Sequence, residues 1–211
     1  MTDPHLYDSW YYTPRGRWIA RREFSLLMRL LKPHAGCTLL DVGSGTGYFT
    51  RRFAANGLHV TGLDSASAML QFAREQGGDA DYVQGDAATL PFADGCFDYC
   101  TAITSLCFVA DPARTLAEMW RVCRRGLALG LLNRHSLLYL VKRGRGGYRG
   151  ARWDTMAAVR GWCRPLQPAP RLENASAVWL PGGGRLARGV ESWLPEAWSG
   201  GGFLAVALHR R

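Results

Sequence analysis

Short apolar runs alternate with amphipathic stretches through most of this chain, and the two periods separate strands from helices. Apolar runs of five to seven residues predict strands over 37–42, 59–64, 81–86, 97–103, 127–132, 175–180 and 203–209. Between them, apolar positions recur at helical spacing over 46–56, 66–76, 113–123 and 154–163. Ser65 stands where it would cap the second of these, and Asp111-Pro112 opens the third. A further helix is predicted over 15–31, with Trp18, Ile19, Leu26, Leu27, Leu30 and Leu31 near one face, and Lys32-Pro33 stops it. Ahead of it lie Tyr7, Trp10, Tyr11 and Tyr12, which read either as a hydrophobic cap on that helix or as a flap over a site. Near-continuous apolar strands separated by helices predict an α/β fold, a doubly wound parallel sheet covered on both faces. Residues 181–202, rich in glycine, proline and tryptophan, read as a long surface loop.

The first strand runs directly into Asp41-Val42-Gly43-Ser44-Gly45-Thr46-Gly47. Glycine permits φ > 0 and close approach of backbone to a ligand, and the helix that follows directs free N–H groups into the turn. A polar or anionic cofactor is the first hypothesis. The spacing Gly-x-Gly-x-Gly departs from the Gly-x-Gly-x-x-Gly of dinucleotide sites, and no Gly-Lys-Ser/Thr follows to make a P-loop. Asp41, Asp64 and Asp86 fall at or near the ends of three successive predicted strands, so the topology brings them to one edge of the sheet. A carboxylate at Asp64 suits two vicinal ribose hydroxyls. Asp86 with the Ala87 backbone N–H suits an adenine edge.

At 211 residues and 47% hydrophobic composition, the chain fits one domain, 1–211. Within it, 1–32 is expected to form an N-terminal helical cap and 133–170 a basic substrate lid. No apolar run reaches the roughly 18 residues of a membrane span, and the first residues do not resemble a signal peptide. The six cysteines form no Cys-x-x-Cys pair, so scattered reduced thiols in a cytoplasmic protein are expected, with no metal. The net charge of +9 is concentrated: twelve basic residues lie between Arg121 and Arg171, against a single acid, Asp154. That segment, with Lys142–Arg152 at its centre, reads as a solvated surface, a site for an anionic small molecule, or a contact with an anionic membrane or RNA.

Four pieces in order and spacing then resemble class I S-adenosylmethionine (SAM)-dependent methyltransferases, specifically the type 11 group that includes quinone-biosynthesis enzymes. They are LeuAspValGlySerGlyThrGlyTyrPhe, GlyLeuAspSerAlaSerAlaMetLeu (62–70), GlyAspAlaAlaThrLeuProPhe (85–92), and PheAspTyrCysThrAlaIleThrSerLeuCysPheValAlaAspPro (97–112). The resemblance implies a Rossmann-like sheet of seven strands with an antiparallel last strand. It implies SAM as cofactor and S-adenosylhomocysteine as product. By the same resemblance Gly43, Gly45 and Gly47 line the methionine end, Asp64 binds ribose, and Asp86 and Ala87 hold adenine, with Asp41, Ser44, Ser65 and Thr104 also against the cofactor. Met69 falls near the adenine face, where a plain core methionine is the alternative.

Residues 104–108 resemble the family's methyl-facing segment. The Asn/Asp-Pro-Pro-Tyr/Phe sequence of amino-methylating DNA and glutamine enzymes is absent, as are the Pro-Cys nucleophile of cytosine-C5 enzymes and an acid cluster for a catechol-site metal. His135, just after the fifth strand, is the candidate general base, and Cys107 reads as a packing residue. The resulting expectation is methyl transfer to a small-molecule acceptor, anionic or lipid-soluble, by positioning and desolvation. The alternatives are an RNA methyltransferase using 142–152, or a noncatalytic SAM-binding partner subunit.

Overall fold

The computed structural model describes residues 3–210 except 181, 183, 185–188, 190, 192, 194–197 and 199. Two helices, α1 (Pro4–Tyr12) and α2 (Pro14–Leu31), precede β1 (Thr38–Val42). Then follow α3 (Tyr48–Ala54), β2 (His59–Asp64), α4 (Ser67–Glu75), β3 (Ala80–Gln84) and β4 (Phe97–Ile103). The chain continues through α5 (Pro112–Val122), β5 (Cys123–Leu132), α6 (Leu137–Lys142), α7 (Met156–Cys163), β6 (Arg171–Ala177) and β7 (Phe203–His209). The strands form one sheet in the order β3-β2-β1-β4-β5-β7-β6, parallel except for β7, which runs antiparallel to both neighbours. The chain reverses its direction of growth between β1 and β4. In open α/β sheets that switch point leaves a crevice beyond the carboxyl ends of the strands.

Side-chain alternation along β7 shows how the sheet divides the interior. Phe203, Ala205 and Ala207 join the cluster under α1, α2 and α3, while Leu204, Val206 and Leu208 join the one under α5 and α7. The alanines on the first face let α2 lie close, with Ala20 and Leu27 fully buried there. Each fully buried leucine contributes roughly 1.5–3 kcal/mol relative to exposure. The caps follow side-chain chemistry: Asp3, Thr13, Asp111, Ser136 and Thr155 each accept a hydrogen bond from a backbone N–H in the first turn of their helix.

Several boundaries differ from the sequence expectation. β6 begins at Arg171 rather than 175 and ends at Ala177, because it is an edge strand whose first half is polar and partly exposed. Val178 then takes φ 64. β5 begins four residues early, at Cys123, since Arg124 and Arg125 continue the strand by pairing with Asp98 at the start of β4. Ser65 does not cap α4: the N-cap is Ala66, with no side-chain cap, and the Asp64 carboxylate accepts the Ala66 N–H at 2.9 Å instead. The aromatic cluster around Tyr7–Tyr12 is itself helix α1, and the short α6 was not foreseen. Most of the stretch expected as a loop over 181–202 lies outside the described residues.

Candidate functional site

The glycine turn sits at the switch point. Gly43, Gly45 and Gly47 have φ of 73, 53 and 74°, a left-handed backbone that side chains strain to adopt. Their reasons differ. A Cβ on Gly43 would strike the Ser105 side chain beyond β4, and one on Gly47 would strike the Tyr82 hydroxyl and Ala73, so these two also serve packing. A Cβ on Gly45 would meet nothing within 4 Å, so Gly45 faces open space. The turn is stitched to β2: Gly43 and Ser44 donate backbone N–H groups to the Leu63 carbonyl at 2.7 and 3.0 Å. Gly45 donates to Asp64 Oδ2 at 2.8 Å. With Ala66 on its other oxygen, the Asp64 carboxylate is held at the lip of the crevice, half-buried, with acceptor capacity remaining on both oxygens.

Asp41 lies beneath the turn. It is 2% exposed and accepts from Thr50 Oγ1 at 2.7 Å and Thr101 Oγ1 at 3.0 Å, which ties β1 to α3 and β4. Burial pushes its carboxyl up to about 6, against the pull of the two hydroxyls and with a further push from Asp64. Ser44 Oγ is buried with no hydrogen-bond partner among the described residues, and its side chain lies over Gly62 of β2, where a Cβ would come within 3.0 Å of it.

Asp86 lies two residues past β3 and is exposed; its Oδ1 accepts from Ala88 N at 2.8 Å and closes the 86–89 turn, with no partner on Oδ2 among the described residues. Ala87 and Met69 are half-buried, and Ser65 is exposed. Thr104 takes φ 49 immediately after β4, its N–H donating to Gly130 across the strand ends, so the chain turns sharply beside the glycines. Burial pushes the Cys107 thiol up to about 12, reinforced by Asp154, which suits a packing residue and not a nucleophile.

Helix α1 closes the front. Tyr11 stacks on Tyr48 of α3 with centroids 3.9 Å apart and planes 8° from parallel. Tyr7 and Tyr11 hydroxyls approach to 3.5 Å. Asp8 faces Arg51 at 4.0 Å, and Arg51 in turn donates to the Thr46 carbonyl at 2.8 Å, so the cap is fastened to the glycine turn itself. Between Tyr7, Tyr11 and residues 43–46 a cavity of about 30 Å³ remains. One buried group here escaped sequence reasoning. Glu23 of α2 is 8% exposed, and burial pushes its carboxyl up to about 8. The Tyr7, Tyr11 and Tyr148 hydroxyls all lie within its electrostatic reach. A single glutamate among apolar helix positions gives no sequence signal of this kind.

The twelve basic residues do not make one surface. Arg121 is bound by Asp94 and Glu118, Arg124 and Arg125 pair with Asp98, and Arg171 pairs with Glu173, all at the amino edge of the sheet. Arg152 is structural too: it grips Asp154 at 2.7 Å, donates to the Leu106 and Val109 carbonyls, and lies over the Trp162 ring. His135 is exposed, its backbone N–H donates to Asn133 Oδ1, and its ring makes no hydrogen bond among the described residues.

Comparison with known proteins fits this geometry. Residues 40–129, which span the glycine turn, Asp64, Asp86 and the segment after β4, match a family model described as a methyltransferase domain, type 11. Over those residues the chain is similar to class I SAM-dependent methyltransferases. Over 100 residues it is 39% identical to a malonyl-[acyl-carrier protein] O-methyltransferase of Pectobacterium atrosepticum, covering 47% of this chain and 40% of that protein. It is 42% identical over 91 residues to a demethylmenaquinone methyltransferase of Renibacterium salmoninarum, covering 43% and 38%. An uncharacterized protein of Mycobacterium bovis matches over more of the chain, 35% identical across 74% of it and 55% of the relative. The matches thus span about two fifths to just over half the length of these relatives.

Among solved structures, a SAM-dependent methyltransferase from Thermotoga maritima superposes with a TM-score of 0.77, covering 98% of this chain and 95% of that one at 22% identity. A magnesium protoporphyrin IX methyltransferase from Synechocystis, solved with bound S-adenosylhomocysteine, gives a TM-score of 0.68 at 15% identity, covering 94% and 86%. These two carry the fold.

Proposed function

We propose that this chain binds SAM across the switch point and transfers its methyl group to a small-molecule acceptor. The observation that carries the reading is the Asp64 carboxylate, fixed by the Gly45 and Ala66 N–H groups beside a glycine whose open side faces the crevice. The residues present fit the cofactor: Gly45 leaves open space beside the turn, Asp64 offers two acceptors, and the second Asp86 oxygen with the Ala87 N–H an adenine edge. Gly43, Ser44, Gly45 and Gly47 would hold the methionine end, Asp64 and Ser65 the ribose, and Met69, Asp86 and Ala87 the base. Asp41 would act from below, keeping the turn in place through Thr50 and Thr101.

When bound, SAM supplies a methyl group already activated as a sulfonium. The chain then has to hold an acceptor near attack distance and keep water away. Thr104 to Phe108 would face the acceptor, and the α1 cap with Tyr7 and Tyr11 would exclude solvent. His135, exposed with its ring unaimed, receives no proton-transfer role in this proposal. The acceptor would enter beneath the 133–170 segment, whose remaining cations favour an anionic or lipid-borne molecule. Labelled methyl transfer from SAM into cell extract, separated into RNA, aqueous metabolites and organic-soluble material, tests this. Label in the small-molecule fractions supports the proposal; label confined to RNA, or none with SAM binding intact, refutes it.

A further inference from the structure

Helix α6 carries its apolar residues the wrong way round for a surface helix of a globular domain. Leu138 turns inward, 5% exposed, and sits where a side chain on Gly202 would clash. Leu137, Leu140 and Val141 point to solvent at 51, 68 and 50% exposure. Phe108, 59% exposed, belongs to the same rim. The Arg152 guanidinium binds the carbonyls on either side of Phe108, and the next residue, Trp153, packs its ring edge-on against Tyr139 of α6 at 5.4 Å.

Around this apolar tip stand Arg134, Lys142, Arg143, Arg145 and Arg149, and among the described residues none of the five is in an ion pair. The one acid of the surrounding sequence, Asp154, is buried and taken by Arg152. The collar is therefore uncompensated positive charge around exposed aliphatic carbon.

We propose that this face docks on an anionic phospholipid bilayer, with Leu137, Leu140, Val141 and Phe108 entering the headgroup–acyl boundary and the five cations lying on lipid phosphates. Long basic side chains suit that depth, since their stems stay in apolar surroundings while their heads reach phosphate. An RNA partner would use the cations but gain nothing from exposed leucine and valine. A nucleic-acid platform presents free aromatic faces, whereas Tyr139, Tyr148 and Trp153 here are packed against one another. The rim adjoins the carboxyl ends of β4 and β5, so a docked molecule would hold its crevice beside the lipid. Docking is independent of methyl transfer: a chain that never turned over SAM would still bind the bilayer.

The test is co-sedimentation of the full chain with vesicles of phosphatidylcholine alone or mixed equally with phosphatidylglycerol. The expected result is binding to the mixed vesicles only, weakened at least tenfold by Leu140→Asp and abolished by Arg143→Glu with Arg145→Glu. Both sets of substitutions lie on exposed positions, and an unchanged melting temperature confirms that each variant is folded. No binding to mixed vesicles overturns the proposal. So does binding that Leu140→Asp leaves intact, which would mean plain charge adsorption. Tight, salt-sensitive binding to single-stranded RNA oligonucleotides in preference to vesicles overturns it in favour of a nucleic-acid surface.

Discussion

Glu23→Gln isolates the titration of a carboxyl buried beneath the α1 cap. Glu23 is buried in α2 with no hydrogen bond among the described residues, and its carboxyl is pushed from an ordinary 4.5 up to about 8 by burial alone. A carboxyl whose folded pKa is raised binds its proton more tightly in the folded state. Its contribution is intact below the unfolded pKa and is lost progressively as pH rises through the folded one. Between pH 5 and pH 8 that linkage removes about 3 kcal/mol from the stability of the native chain. Glutamine has the same shape and no charge to titrate, so its stability does not follow this slope. Asp41 titrates in both proteins and cancels from the difference. Chemical unfolding of the two chains at matched pH values should therefore show a gap that opens in favour of the variant by about 3 kcal/mol from pH 5 to pH 8. In melting temperature this is on the order of 6–12 °C for a chain of this size. Parallel stability curves, with a gap that does not change with pH, would refute the reasoning and place Glu23 in a paired or hydrated environment.

Asp41→Asn should show the same sign in a lower window, because its folded pKa of about 6 is also raised by burial. The stability gap should grow by about 2 kcal/mol between pH 4 and pH 7 and then level off, and a flat difference in unfolding midpoints would contradict it. Gly45→Ala should cost about 1–2 kcal/mol from its left-handed φ alone, whereas Gly47→Ala should cost roughly 1–3 kcal/mol more because its Cβ also meets Tyr82 and Ala73. Equal unfolding midpoints for the two alanines would show that crowding is not what sets Gly47. Tyr11→Ala removes the stack on Tyr48 that fastens α1; limited proteolysis should then cut near residues 3–13 while leaving the sheet protected, and an unchanged cleavage pattern would mean that the Asp8–Arg51 contact holds the cap unaided.

The strands most legible in the sequence are β1, β4 and β7, where near-complete burial leaves little room for polar residues. β6 and the start of β5 were read short because edge and end positions tolerate charge: Arg171, Arg124 and Arg125 all sit in strands. The glycine turn with Asp64 announced the site through spacing. Its supports did not, since Thr50, Thr101 and Arg51 act through contacts that span from 5 to 60 residues of chain. The basic segment misled in a different way. Charge counted along the sequence merged cations that fold to opposite edges of the sheet, and only burial and pairing separated the structural arginines from the five cations around α6 that have no ion pair among the described residues.

Calorimetric titration of S-adenosylhomocysteine into the full chain and into Asp64→Ala tests the central claim most directly. Saturable binding at one site per chain is expected, weakened in the variant by about 1–3 kcal/mol, the cost of leaving a buried partner unsatisfied, with a melting temperature that rises with ligand in proportion to affinity. Absence of heat and of any melting shift at millimolar ligand, or equal affinity in the two chains, would contradict it.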